Sequence, residues 1–264
     1  MKRFLSLALA VVTILLCVTS CQKTESDLIA TADKKLTKKA YVMEVDLDFT
    51  CHASEIAEVF EQLESSETTI YVKGDSVRAF NEMNIDHGEG KNTFKTEYTV
   101  VNGVVYRNLT YTADGITREA KNKTAASDEK ITELVKKLAV IGGVSVSDYA
   151  ESVVEERDGD RYLVYTAPSG EACTVLDGIM LAQLENAAQS VKVDKDTVRF
   201  VIELDGKLYD NATLECEYDV VISGKSYRVE MEVELEFDYD ARFDIKAPSD
   251  AGEYVDSDEQ TVIG

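Results

Sequence analysis

Residues Leu208 to Tyr239 constrain the fold most, because they alternate apolar and polar side chains over two long arms. The first arm, LYDNATLECEYDVVI, leads through Ser223-Gly224-Lys225 into SYRVEMEVELEFDY. In the second arm Tyr227, Val229, Met231, Val233, Leu235, Phe237 and Tyr239 alternate with Arg228, four glutamates and Asp238. A period of two places each set on one face of a strand. The first arm keeps this parity through Leu208, Ala212, Leu214, Cys216, Tyr218, Val220 and Ile222, and Gly224 supplies the turn. The pattern predicts a long antiparallel hairpin with one apolar and one charged face. Full burial of the apolar side of the second arm contributes on the order of 10–20 kcal/mol gross. Left bare, that side would be a larger patch than monomers expose. It must be covered, by the chain's own helices or by a ligand.

Charge narrows the choice of partner. The 264 residues hold 50 acidic and 28 basic side chains, for a formal charge of −22. Nucleic acid is not expected, since its phosphates need Lys and Arg, and broad adhesion to anionic lipid is disfavoured too. High net charge keeps an exported protein soluble.

The start, MKRFLSLALAVVTILLCVTSCQ, reads as a secretory leader. Lys2 and Arg3 precede an apolar run, Phe4 to Leu16, that is too short for an ordinary membrane span. Val18-Thr19-Ser20-Cys21 resembles the bacterial lipobox, in which the Cys is lipidated and becomes the new N-terminus. Ordinary cleavage with an unmodified Cys21 is the alternative. Two or three acyl chains on Cys21 would anchor the protein stably in a membrane. The expected division is a signal peptide over 1–20, a lipidated tether and helix over 21–40, one domain over 41–254 and an acidic flexible tail over 255–264. Such a protein sits on the extracytoplasmic side of a bacterial membrane, in the cell envelope.

Beyond the leader remain Cys51, Cys173 and Cys216. An odd count excludes a complete disulfide framework, and the spacings fit no zinc pattern. One bridge among them stays open in an oxidising compartment.

Along the chain, a weak helical stripe (Leu28, Ala32, Leu36) precedes a strand over Tyr41–Phe49, and Ser54–Glu64 has helical spacing. Turn signals then separate strands at 69–73, 77–81, 94–101, 104–111 and 116–121, with a loop over Asn84–Asn92. A helix is expected over Asp128–Ile141, ended by Gly142-Gly143, and a hairpin at 151–156 and 161–166. The segment Cys173–Ala188 is apolar on nearly every side, as in a helix that is buried or borders a cavity. A strand at Val198–Leu204 and the long hairpin complete about eleven strands. After Tyr254 the tail is expected to fray. The fold class is α+β, mainly antiparallel β: an open curved β-barrel with helices packed in its concave face.

That arrangement resembles the LolA/LolB-like lipoproteins, including the mycobacterial LppX and LprG group. The resemblance covers roughly Tyr41 to Tyr254. It rests on Cys21, Gly178-Ile179 at an apolar helix, Asp205-Gly206-Lys207 before the final meander, and Ile245-Lys246-Ala247-Pro248-Ser249-Asp250-Ala251. It implies a barrel whose helices guard an apolar cavity, and an activity of moving lipids or the acyl chains of lipoproteins.

No catalytic signature accompanies it, so an enzyme is not expected, nor a cofactor or metal. His52 and His87 lie outside any triad or metal pattern, and carboxylates along a flat strand do not converge on one cation. The candidate ligand site is the apolar interior. Its lining would be Met43, Val45, Leu47, Leu176, Ile179, Met180, Leu184, Leu214, Tyr218, Met231, Val233 and Leu235. The same residues could close on each other as a dry core, and enlarging Ala182 or Ala187 would separate the two cases. A surface scaffold that recognises a protein, with no ligand, is the other function class.

Overall fold

The structure is a computed structural model that describes residues 23–36, 38–57, 59–60, 66–86, 91–113, 115–140, 146–157, 160–184, 187–258 and 262. The leader, Cys21, His87 and Gly142-Gly143 lie outside the described residues.

Helix α1 (Lys23–Leu36) precedes β1 (Tyr41–Cys51), β2 (Ser66–Lys73), β3 (Ser76–Asp86), β4 (Lys91–Val101), β5 (Val104–Ala113) and β6 (Ile116–Ala125). Helix α2 (Asp128–Leu138) follows, then β7 (Tyr149–Arg157), β8 (Asp160–Pro168), helix α3 (Gly170–Leu184) and β9 (Ser190–Val193). The chain closes with β10 (Arg199–Asp205), β11 (Leu208–Ile222), β12 (Lys225–Asp238) and β13 (Val255–Asp256). One open, curved sheet contains them all, in the order β13-β6-β5-β4-β3-β2-β1-β12-β11-β10-β8-β7, with β9 added to β11. Every pairing is antiparallel except β13 with β6. The mainly antiparallel α+β class holds, but among the described residues the sheet has thirteen strands, not about eleven. Four-residue β9 and two-residue β13 are too short to show a period.

The long hairpin turns through Ser223 and Gly224, both at positive φ (51° and 77°). That is the twist-compatible two-residue turn that favours Gly. Its strands stand at the centre of the sheet with β1. In register, Val45 faces Leu235 and Leu235 faces Ala212; one step on, Leu47, Val233 and Leu214 form the next row. The expected parity breaks once. Glu203 pairs with Asn211 but Leu204 with Tyr209, so Asp210 is an extra, bulged residue. The bulge turns Tyr209 inward (2% exposed) and leaves Leu208 half-buried.

Helices α1, α2 and α3 feed the same buried cluster as the inward-facing strand residues: Ile29, Ala32 and Leu36 from α1, Ile131, Leu134 and Val135 from α2, and Leu176, Met180 and Leu184 from α3. Helix α2 begins on Ser127, whose Oγ accepts from Lys130 N at 3.3 Å, and ends at Leu138, before the expected Ile141.

The segment after β12 does not leave the fold. Phe243 meets Tyr71 of β2 edge-on at 5.3 Å, Tyr254 meets Tyr106 of β5 at 5.3 Å, and Lys121 of β6 donates to Asp250 (2.7 Å) and Glu253 (3.0 Å). Tyr71 and Tyr106 alternate with the core-facing Val72 and Val105, so this strap crosses the sheet on the face away from the helices. Val255 and Asp256 then pair with Asn122 and Lys123, so the expected fraying after Tyr254 does not occur through residue 256.

Candidate ligand-binding core and the opposing acidic face

Helix α3 packs against β9 and β8 and is tied to β9 and β11 by specific bonds. Ser169 opens the helix by accepting from Ala172 N (3.1 Å) through Oγ and from Cys173 N (3.0 Å) through its carbonyl. Asp177 Oδ1 accepts from Val193 N of β9 at 2.6 Å, and the buried Tyr218 hydroxyl of β11 donates to Leu176 O at 3.0 Å. Its buried stripe is Ala172, Leu176, Met180 and Leu184, one residue per turn. The apolar reverse side is not buried as expected: Leu181 is 44% exposed, and Gly178 and Ala182 are exposed as well. Ala187 lies beyond the helix and is exposed too, so neither alanine named for the packing test touches the core.

The structure brings the proposed lining residues together. Met43, Val45 and Leu47 of β1, Leu214 and Tyr218 of β11, and Met231, Val233 and Leu235 of β12 are all buried. With Leu176, Met180 and Leu184 they belong to one cluster, and Ile179 packs against it half-buried.

Three polar atoms in this apolar interior went unnoticed in the sequence. The hydroxyls of Tyr41, Tyr149 and Tyr239 are buried and, among the described residues, have no hydrogen-bond partner. An unsatisfied buried hydroxyl costs about 1–3 kcal/mol, so three in one core call for an explanation. Burial alone lifts the Tyr41 phenol above its ordinary pKa. Burial also raises Tyr149, with Cys216, Asp148 and Cys173 adding to the shift. Tyr239 is raised by burial and then by the Tyr41 phenol and Asp210; the Tyr209 backbone opposes the shift without completing a hydrogen bond. Tyr41 and Tyr239 were legible as inward positions at strand ends. Tyr209, which joins them, depends on the bulge.

Cys51, Cys173 and Cys216 are all free thiols. Burial pushes the Cys216 thiol up to about 12, and burial followed by Asp177 raises Cys173. Neither is an activated thiolate. His52 is exposed, and the described residues contain no group of three His, Cys, Asp or Glu able to hold a metal.

The opposite face of the same strands is acidic. Glu44 lies across from Glu236, Asp46 from Glu234, and Asp48 from Glu232, which also faces Glu215. Like charges directly opposite one another are destabilising. Glu232 is raised by desolvation, then by Glu215, Glu234 and Asp48; Glu236 by desolvation, then by Glu234, Asp46 and Glu44. Nearby basic groups are engaged locally: Arg199 with Glu215 at 3.2 Å, and Arg228 with Asp194 and Glu217, both at 2.6 Å. An open cavity of about 550 Å³ lies on this face, lined by Asp48, Thr50, Thr197, Glu215, Glu217, Glu230 and Glu232 around Phe49, Cys216 and Met231. The side chains of those last three belong to the buried cluster.

No protein-family model matches the chain, and no curated protein matches it. Among solved structures it is similar to an N-terminal dehydratase from the difficidin assembly line, at 8% identity over 75% of this chain and 77% of that one, with a TM-score of 0.18. It is also similar to the dehydratase domain from the CurJ module of curacin polyketide synthase, at 11% identity over 80% and 79%, with a TM-score of 0.14. These neighbours are enzyme domains, so the expectation that the chain is not an enzyme does not stand. Likenesses this weak assign it no reaction.

Proposed function

We propose that this chain is a lipid-anchored envelope protein that binds a lipid or another apolar ligand between its sheet and its helices, as the LolA-like resemblance implies. The observation that carries the reading is the set of three buried phenol hydroxyls that have no hydrogen-bond partner among the described residues. A core evolved only to be dry would hold phenylalanine at those positions, since removing an unsatisfied hydroxyl costs nothing in hydrogen bonds. A core that opens to an amphiphile has a use for scattered polar atoms among methionines and aliphatic side chains. The anchor would be Cys21, immediately before α1.

The test is to express the chain from Gln22, which retains the whole buried cluster from Ile29 to Val262, and to identify co-purifying lipid by mass spectrometry. A stoichiometric lipid, released on unfolding, is the expected result. Lipid-free protein that also fails to bind a fluorescent acyl probe would overturn the reading. Ala212→Phe, on the inward face of β11, then replaces Ala182 and Ala187 as the packing probe. A second reading, a scaffold that docks a basic protein, is favoured by the acidic cavity and its opposed carboxylates. Salt-sensitive crosslinking of a partner to this face, lost on Glu230→Lys and Glu232→Lys, would support it.

A further inference from the structure

The partnerless phenols differ in their surroundings. At one end of the core the bulge turns Tyr209 towards Phe237 (ring centroids 5.9 Å apart), Phe237 stacks on Tyr239 (6.5 Å), and Tyr41 stands 6.1 Å from Tyr239. Tyr41 is 0% exposed, and its hydroxyl and that of Tyr239 are the two polar atoms this aromatic group leaves unsatisfied. Tyr239 is half-buried, and Lys39 Nζ stands 5.2 Å from its ring centre.

The chain leading into Tyr41 is locally basic. Four of the chain's 28 basic residues fall within Lys34–Lys39. The dipole of α1 accounts for lysines in its last turn, Lys34 and Lys35, but Lys38 and Lys39 follow the helix. A turn holds them there: Lys38 N bonds Lys35 O at 3.0 Å and Lys39 N bonds Leu36 O at 3.2 Å. Asp210, on the bulge, is exposed to solvent and is the one carboxylate among the groups that raise Tyr239. At the other end, Tyr149 keeps company with Asp148 and two thiols, and Asp177 acts on both thiols.

We infer that the Tyr41–Tyr239 end of the core seats the carboxylate of a single-chain fatty acid, with the two hydroxyls donating to its oxygens and Lys39 closing over them. The inference rests on the ligand-binding reading above and adds the head group. Two neutral O–H donors and one cation match one carboxylate, and hydrogen bonds to a charged acceptor are the stronger kind. A methyl ester of the same chain accepts more weakly and gains nothing from Lys39.

The experiment measures displacement of a fluorescent apolar probe by oleate and by methyl oleate. It compares the chain from Gln22 with Tyr41→Phe/Tyr239→Phe, which keeps both rings, and with the surface variant Lys39→Gln. Oleate should bind about tenfold or more tightly than its ester, the double variant should erase that ratio by weakening oleate alone, and Lys39→Gln should reduce it in part. Equal binding of oleate and ester, or a ratio unchanged in the variants, overturns the head-group assignment and leaves the apolar-ligand reading intact. No saturable binding of either compound overturns both. If the double variant does not fold, the single Tyr41→Phe and Lys39→Gln variants decide by the same ratio.

Discussion

The two faces of the central strands share a backbone and differ in everything else. On β1, β12 and β11 the row Leu47, Val233 and Leu214 is buried, while one residue along, Asp48, Glu232 and Glu215 stand side by side facing water. The inner face is stabilised by apolar burial and carries a few polar atoms without partners. The outer face carries polar atoms in excess, of one sign. Each therefore departs from what stability alone would select, in opposite directions. The inner face has too much hydrogen-bonding capacity and the outer face too little countercharge. Stability mutants can tell whether this is a correct description.

The largest contrast should come from charge on adjacent residues. Leu235→Asp buries an unpaired carboxylate at a position 2% exposed and should destabilise by more than about 4 kcal/mol or prevent folding. Glu234→Lys gives up the bond from Asn211 but faces Asp46 across the strand, and should shift the urea midpoint by no more than about 0.5 kcal/mol equivalent. Similar midpoints for the two would show that the faces are wrongly assigned.

Next come two phenols of opposite sign. Tyr218→Phe removes a buried bond to Leu176 O and should cost about 0.5–1.5 kcal/mol. Tyr41→Phe removes a hydroxyl that bonds nothing in the described structure and should leave stability unchanged or raise it in ligand-free protein. Thermal melts of the two variants should therefore move apart; a common loss would mean that Tyr41 has a partner after all.

The smallest effect is on the acidic face. Glu232→Gln should stabilise by roughly 0.2–1 kcal/mol at neutral pH, because it removes one side of two like-charge pairs. The sign follows from the raised pKa of Glu232 in the fold. A carboxyl so raised favours folding when protonated, and that contribution is lost as pH rises through its folded value. The gain from Gln should therefore shrink as pH falls into the carboxylate range, measured as melting temperature against pH.

How much of this was legible in the sequence follows from how local each signal is. The central hairpin, the turns at Asn102-Gly103 and Ser223-Gly224 and the buried stripe of α2 are set by period and by glycine, and these emerged directly. Strand β9 was missed because four residues cannot display alternation, and Tyr209 because a bulge displaces parity without a sequence mark. The segment over Asn84–Asn92 looked like a loop, yet polar Asn84 and Asn92 lie within β3 and β4, where neighbouring strands supply the pairing that composition does not announce. Helix α3 misled in the other direction. Its all-round apolar surface suggested full burial, whereas only one stripe of it meets the core. For the candidate site, the aliphatic lining was readable from parity. The unsatisfied phenols were not, because satisfaction is a property of neighbours in space.

The strap that ends in β13 has a consequence in time. Its pairing partner on β6, Asn122, is synthesised long before Val255. At translation rates of roughly 5–20 residues per second, the delay is on the order of ten seconds. Throughout it Asn122 and Lys123 of β6 present a strand edge that no other strand among the described residues covers. An uncovered edge invites pairing with another chain. Pairing of Val255 and Asp256 covers Asn122 and Lys123 of that edge, and a nascent chain stalled short of Val255 would leave this part of it open to another chain.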